Sequence, residues 1–220
     1  MNSFYQLPKW CQYALAIIMM LILGGIMLSW YKLIEIHPAF FLTLFLLSPL
    51  YHLLLTPLMT LTKSYVYINP MLLAFNPSEE RYDLHMGTSF DYLMVMRGTP
   101  PGISARYKNL GFLLDGLLKI IDRIETGALP DTVEVRGSSY FFSDRTAESM
   151  GFKLSPTGLA EKCNIVFNYL ELLWTYSYTQ GRLSFPNLNN IKTASTSGAE
   201  LVRQKERIER LYAHISKYLD

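Results

Sequence analysis

Residues 10–31 read WCQYALAIIMMLILGGIMLSWY and, after the interruption Lys32 to Pro38, residues 39–62 read AFFLTLFLLSPLYHLLLTPLMTLT. Neither run contains an Asp, Glu, Lys or Arg. A bilayer core about 30 Å thick is crossed by roughly 20 apolar residues rising 1.5 Å each. The two runs therefore predict a transmembrane hairpin within residues 1–63, with spans over about 11–31 and 39–61, and everything after Lys63 hangs from it. A signal peptide competes for the first run, but its apolar region is about 7–15 residues long and ends at a small-residue cleavage site. Here the run is longer and ends on Ser29-Trp30-Tyr31-Lys32. A buried soluble hairpin competes for both runs, and two adjacent helices that are apolar all round are hard to bury in so small a protein.

Trp10, Tyr13, Trp30 and Tyr31 sit at the ends of the first run, where amphipathic rings favour the headgroup layer. Lys9 and the amino terminus flank one end of the hairpin and Lys63 the other, which predicts an integral, multi-pass protein with both termini cytoplasmic. In the second run Ser48, Tyr51, His52 and Thr56 recur at helical spacing, and Pro49 and Pro57 each remove a backbone donor. Ionisable groups at membrane depth often mark pathways. Two helices cannot enclose one, however, and His52 has no acidic partner in either run, so the stripe is expected to pack against Gly24, Gly25 and Ser29 of the first span.

The chain has 220 residues and a net charge of +2. The roughly 150 residues left after the hairpin suffice for one soluble domain, residues 64–220. So mild a charge, without an aromatic-basic cluster, argues against nucleic acid as a partner. Two cysteines, Cys11 and Cys163, are too few for a disulfide framework or a zinc site.

Within the domain, Ser64 to Ile68 alternates as a strand does, and Arg81 to Met86 and Ser89 to Met96 read as two strand segments meeting at Gly87. Arg97 to Gly102, with two prolines and two glycines, is a loop. Leu110, Leu113, Leu114, Leu117, Leu118, Ile121 and Ile124 then mark the core helix, ended by Gly127. A strand at Thr132 to Val135, a short helix capped by Ser143 or Asp144 and ended by Gly151, and a strand from Phe152 follow. A second long helix runs from about Gly158 to Tyr178, with Leu159, Cys163, Val166, Phe167, Leu170 and Trp174 expected to join the core. Residues 181–198 read as an irregular connector and 199–219 as an amphipathic C-terminal helix with Leu201, Ile208, Leu211, Ile215 and Leu219 on its stripe. The fold class is thus a two-helix transmembrane hairpin followed by an α+β or α/β domain with a small sheet and three long helices.

The segment Arg106 to Phe152 resembles the core of the GCN5-related N-acetyltransferase family. That family follows a strand with an Arg/Gln-x-x-Gly-x-Gly/Ala loop opening a long helix, then a strand, a short helix and a Gly-Phe pair before another strand. Phe90 to Met96 matches the first strand, Arg106-Tyr107-Lys108-Asn109-Leu110-Gly111 the loop, and Ala147 to Phe152 the short helix and Gly-Phe pair. Asn109 replaces the first loop glycine and Ala147 the tyrosine of many members. The resemblance implies acetyl-CoA or another acyl-CoA as cofactor, its pyrophosphate held by Arg106, Asn109 and Gly111 at a helix N-terminus.

His85 and Asp91, in His85-Met86-Gly87-Thr88-Ser89-Phe90-Asp91, are the candidate catalytic residues. Zinc needs about three protein ligands, and the other histidines, His37, His52 and His214, lie elsewhere in the chain, so no metal is expected. Ser89, Ser138 or Ser139 with His85 would make a nucleophile and base, but no Gly-x-Ser-x-Gly elbow is present. The function that follows is a membrane-anchored protein whose cytoplasmic domain is an interaction or scaffold module. Its partners would be the bilayer and a protein, or a second copy bound through the C-terminal helix. The alternative is an acyl-CoA-dependent N-acyltransferase working at the membrane surface.

Overall fold

The computed structural model describes residues 2–138, 144–188 and 191–218. The first apolar run is one helix, α1 (Lys9–Ile36). The second is a 3-10 segment (Pro38–Leu47) that passes into α2 (Ser48–Leu61). Both stretches are long and apolar enough to cross a bilayer, and only 17% of each apolar window is buried. That is not how the core hairpin of a soluble protein is packed. The Trp30 indole N–H donates to Thr43 Oγ1 at 3.1 Å near the hairpin tip, and at the base Tyr5 donates to Thr60 Oγ1 at 3.0 Å.

After the hairpin, β1 (Tyr65–Asn69), β2 (Leu72–Phe75) and β3 (Arg81–Met86) form an antiparallel meander. The chain returns through α3 (Ser89–Val95) and α4 (Ile103–Glu125) to β4 (Glu134–Ser138), which lies parallel to β3. The short α5 (Asp144–Ser149) leads to β5 (Lys153–Pro156), and a long excursion through α6 (Leu159–Phe167) and α7 (Tyr169–Gln180) precedes β6 (Lys192–Ser197), inserted antiparallel between β4 and β5. The strand order is β1-β2-β3-β4-β6-β5. Helices α8 (Gly198–Arg203) and α9 (Lys205–Ser216) finish the chain.

Alternate strand residues face opposite sides of the sheet. On one side Leu72, Ala74, Tyr82, Leu84, Val135 and Ala194 meet Leu114, Leu117, Ile120 and Ile121 of α4 and Leu201, Ile208 and Ile215 of the last two helices. Each such aliphatic side chain gains about 1.5–3 kcal/mol on burial. Gly116 lets α4 come this close, since a Cβ there would stand 2.2 Å from Leu72 Cδ2. The stripe of α9 is thus occupied by α4, and Lys205 pairs with Glu125 at 2.6 Å beside it.

Four expectations are corrected. Ser89 to Val95 is helical, because Thr88 and Asp91 close a capping box that overrides the strand preference of Phe90, Tyr92 and Val95. The connector 181–198 contains β6, which pairs with β4 and, from Lys192 to Ser195, with β5, and whose Thr193 and Thr196 are buried. Its Ser/Thr composition hides a strand that hydrogen bonding defines. The polar stripe of α2 does not meet α1: nothing lies within 4 Å of a Cβ built on Gly24 or Gly25, and Ser29 bonds its own helix at Gly25 O. It meets α3 and the break between α6 and α7 instead. Finally, the long helix breaks at Asn168, and the apolar face of α6 points away from the core, with Leu159 80%, Val166 55% and Phe167 57% exposed and Cys163 exposed beside them. Ser143, proposed as a cap, lies outside the described residues.

Candidate functional site

The parallel strands β3 and β4 pair from Arg81 with Glu134 to Leu84 with Gly137. Past that point β3 runs on to Met86 and turns into α3, whereas β4 stays paired with β6 through Ser138. A crevice outside the carboxyl ends of parallel strands whose chains leave in different directions is where open sheets bind ligands. A cavity of about 460 Å3 opens there, within the usual range for small-molecule sites. Its floor is the second face of the sheet, with Tyr65, Leu73, Phe75, His85 and Arg136. One wall is α2, with Tyr51, His52 and Met59, and another is the α6–α7 helix pair, with Glu161, Asn164, Asn168, Glu171, Leu172 and Thr175.

Polar contacts hold the α2 wall to the domain. The His52 ring meets Asn168 Oδ1 through Nε2 at 2.9 Å, and the Asn168 amide nitrogen donates to Asn164 O and Oδ1 at 2.9 and 2.8 Å. This fixes Asn168 Oδ1 as the acceptor, so His52 Nε2 carries a proton and a neutral ring has Nδ1 as its basic atom. Thr56 and Thr88 hydroxyls lie 2.9 Å apart. The Glu171 carboxylate accepts from the Ser89 N–H at 2.6 Å, the Ser89 hydroxyl at 2.5 Å and the Trp174 indole at 3.0 Å, while its own N–H donates to Ser48 Oγ at 3.2 Å. One residue thereby ties α2, α3 and α7 together, and burial pushes its carboxyl pKa up against these bonds.

His85 reaches into the cavity from β3. Its ring is exposed to that open space, and burial among the cavity walls pushes its pKa down, which favours the neutral ring as a hydrogen-bond acceptor. Arg136 beside it sits 3.9 Å from Asp83, which also binds Arg81 at 2.6 Å. The site therefore combines two imidazoles, carboxamides and a guanidinium with apolar Leu73, Phe75, Met59 and Leu172. That set suits a ligand with a polar head and an apolar body.

Of the residues picked from sequence, the structure puts only His85 clearly at this site. Asp91 is fully buried and accepts from the Tyr67 hydroxyl at 2.5 Å and from the N–H and hydroxyl of Thr88 at 2.9 and 3.2 Å; His85 is not among these partners. Burial raises the Asp91 pKa to about 6. Arg106, Asn109 and Gly111 form no loop. They lie inside α4, where helical bonding uses the backbone N–H groups that a phosphate would need, as that of Arg106 to Gly102 O shows. Asn109 donates instead to the Tyr92 hydroxyl at 2.5 Å, and Gly111 is buried. The residue that opens α4 is engaged too. Gly102, at φ +94°, donates to Tyr178 O, and Gly181 packs on it with its Cα 3.5 Å from where a Cβ would sit.

Ser89 is engaged by Glu171, whereas Ser139 and the side chain of Ser138 lie outside the described residues. Among the described residues no three His, Cys, Asp or Glu side chains are placed to hold a metal ion. Sequence reasoning set His52 aside and missed Asn168, Glu171, Asn164 and Glu161. Their signal was a polar stripe at i, i+3, i+7, i+10 and i+14 from Glu161 to Thr175, opposite the apolar one that drew attention. Compared with known proteins, the chain matches no family model, no curated protein and no solved structure.

Proposed function

We propose that this is a membrane-anchored protein whose folded domain binds an amphipathic small molecule, the second hairpin helix supplying part of the binding wall. The cavity at the carboxyl ends of β3 and β4 carries this reading, because polar His52, His85, Arg136 and the α6–α7 wall share its lining with apolar Leu73, Phe75, Met59 and Leu172. A pure interaction or scaffold module needs no such space, and the α9 stripe that would serve self-association is covered by α4. Lys9 and Lys63 at the open end of the hairpin support an orientation with both termini cytoplasmic.

A second reading, an acyl-CoA-dependent N-acyltransferase, is favoured by the succession β3, long α4, β4, short α5, Gly151-Phe152 and β5. With Gly102 at the start of α4 held by Tyr178 and Gly181, this reading places acyl-CoA in the cavity itself. Both are tested on the full chain in phospholipid nanodiscs. A photoactivatable fatty-acyl probe is expected to label the segment His85 to Gly87, and Asn164→Trp, which fills the cavity from a residue open to it, should cut that labelling at least tenfold. Labelling confined to α1 and indifferent to Asn164→Trp defeats the ligand-binding reading. Saturable thermal stabilisation by acetyl-CoA, about 2.7 kcal/mol at 100 times its Kd and lost in His85→Ala, would establish the acyltransferase instead.

A further inference from the structure

Helix α6 is built inside out. Its inward face carries Glu161, Asn164 and Ile165, which line the cavity with Asn168 at its end, and its outward face carries Leu159, Cys163, Val166 and Phe167. A water-facing helix shows the reverse pattern. Length gives a second, independent argument. Ser48 follows the ten-residue 3-10 segment from the hairpin tip, which rises about 2.0 Å per residue and so covers about 20 Å. A bilayer core of about 30 Å then extends about 10 Å further, past the level where Ser48 Oγ meets the Glu171 N–H at 3.2 Å. The 3-10 segment packs against both α6 and α7 there, which sets α6 beside the apolar surface of the hairpin.

Building on the anchored reading above, we infer that α6 is a third membrane element: its outward face lies in the acyl-chain layer of one leaflet while its inward face walls the ligand cavity. The occupant of that face is lipid hydrocarbon. Apolar side chains of Leu, Val and Phe reach it, and Lys162 at the margin of the stripe has the long stem that lets an ammonium group return to the headgroups. A cavity walled by such a helix takes its ligand from the membrane more directly than from water.

The chain supplies its own reporter, since Cys11→Ser leaves Cys163 as the sole thiol. In nanodiscs, where both bilayer faces meet the buffer, the rate with a charged, membrane-impermeant maleimide is divided by the rate with N-ethylmaleimide. A merely slow thiol lowers both rates, and only immersion in lipid separates them. Two controls in a Cys11→Ser, Cys163→Ser background carry Lys119→Cys, on the water-facing side of α4, and Leu21→Cys, exposed midway along α1. The ratio for Cys163 is expected to match that of Leu21→Cys and to fall at least tenfold below that of Lys119→Cys. A Cys163 ratio equal to that of Lys119→Cys, with Leu21→Cys protected, overturns the placement of α6 and leaves the anchor intact. A Leu21→Cys ratio equal to that of Lys119→Cys removes the anchor, and this inference with it.

Discussion

The two faces of the sheet are put together from different materials. Against α4 the contact is aliphatic and closed except where the cavity reaches Leu113 and Leu117, and the alternation of Tyr82 and Leu84 with Arg81 and Asp83 sets which side is which. Against α2, α6 and α7 the sheet presents His85 and Arg136 across a cavity, and the elements are joined by single polar contacts such as Thr56 with Thr88, His52 with Asn168 and Ser48 with Glu171. The first face supplies stability. The second gives up packing density for a site, and an outer layer of apolar residues on α6 adds nothing to the core. Amphipathic periodicity alone does not say which face of a helix is the inner one.

The largest effect that would break this contrast lies in the closed face. Ile120 is fully buried on α4, so Ile120→Ala should cost about 2–5 kcal/mol through lost contacts and a residual void. Phe167→Ala removes a larger side chain from the outward face of α6 and should change unfolding in detergent by less than about 0.5 kcal/mol. Comparable losses in the two variants, by chemical denaturation of the detergent-solubilised chain, would mean that α6 is packed as a core helix.

Much of the closed face could be read from the chain. The i, i+3, i+4 run from Leu110 to Ile124, the stop at Gly127 with φ +74° and the short α5 ending at Gly151 all follow from local rules. The polar face was less legible because its partners are distant in sequence: Glu171 lies 123 positions from Ser48, and Asn168 lies 116 from His52. No local pattern pairs them. Residues 89–95 misled because Phe90, Tyr92 and Val95 favour strands while Thr88 and Asp91 favour a helix start, and the cap prevailed. Strand β6 misled because its Thr and Ser residues are those of loops until strands flank it on both sides.

A sharper test of the polar face is its pH dependence. Burial lifts the Asp91 pKa from 3.8 to about 6 despite the hydrogen bonds from Tyr67 and Thr88. Between those values the folded chain holds a proton that the unfolded chain has released, so this group's contribution to stability falls as pH rises from about 4 to 6 and stays low above that. The span is about 2–3 kcal/mol. Relative to Asp91→Asn, whose amide does not titrate, the native chain should therefore lose stability across this range in denaturation experiments at pH 4, 5, 6 and 7. Ile120→Ala, on the closed face, should run parallel to the native chain at every pH. A gap between the native chain and Asp91→Asn that is constant with pH would show that Asp91 is not desolvated.

The smallest effect concerns the single contacts themselves. Thr88 accepts from the backbone of α3, donates to Asp91 and meets Thr56 of the hairpin helix at 2.9 Å, so one hydroxyl serves the cap and the joint between hairpin and domain. Thr88→Ser keeps that hydroxyl and should be near neutral, whereas Thr88→Val keeps the shape, removes the hydroxyl and should cost about 1–2 kcal/mol, the usual worth of an N-terminal cap. The cap and the joint are separated by Thr56→Val, which leaves the box of Thr88 and Asp91 whole. If the joint is one modest hydrogen bond among several, Thr56→Val should cost about 0.5–1.5 kcal/mol. The double variant should then fall short of the sum of the two by the energy of their shared contact. Full additivity, measured in the same denaturation assay, would mean that the two hydroxyls are not partners and that the polar joint between α2 and the domain rests on Ser48 and His52.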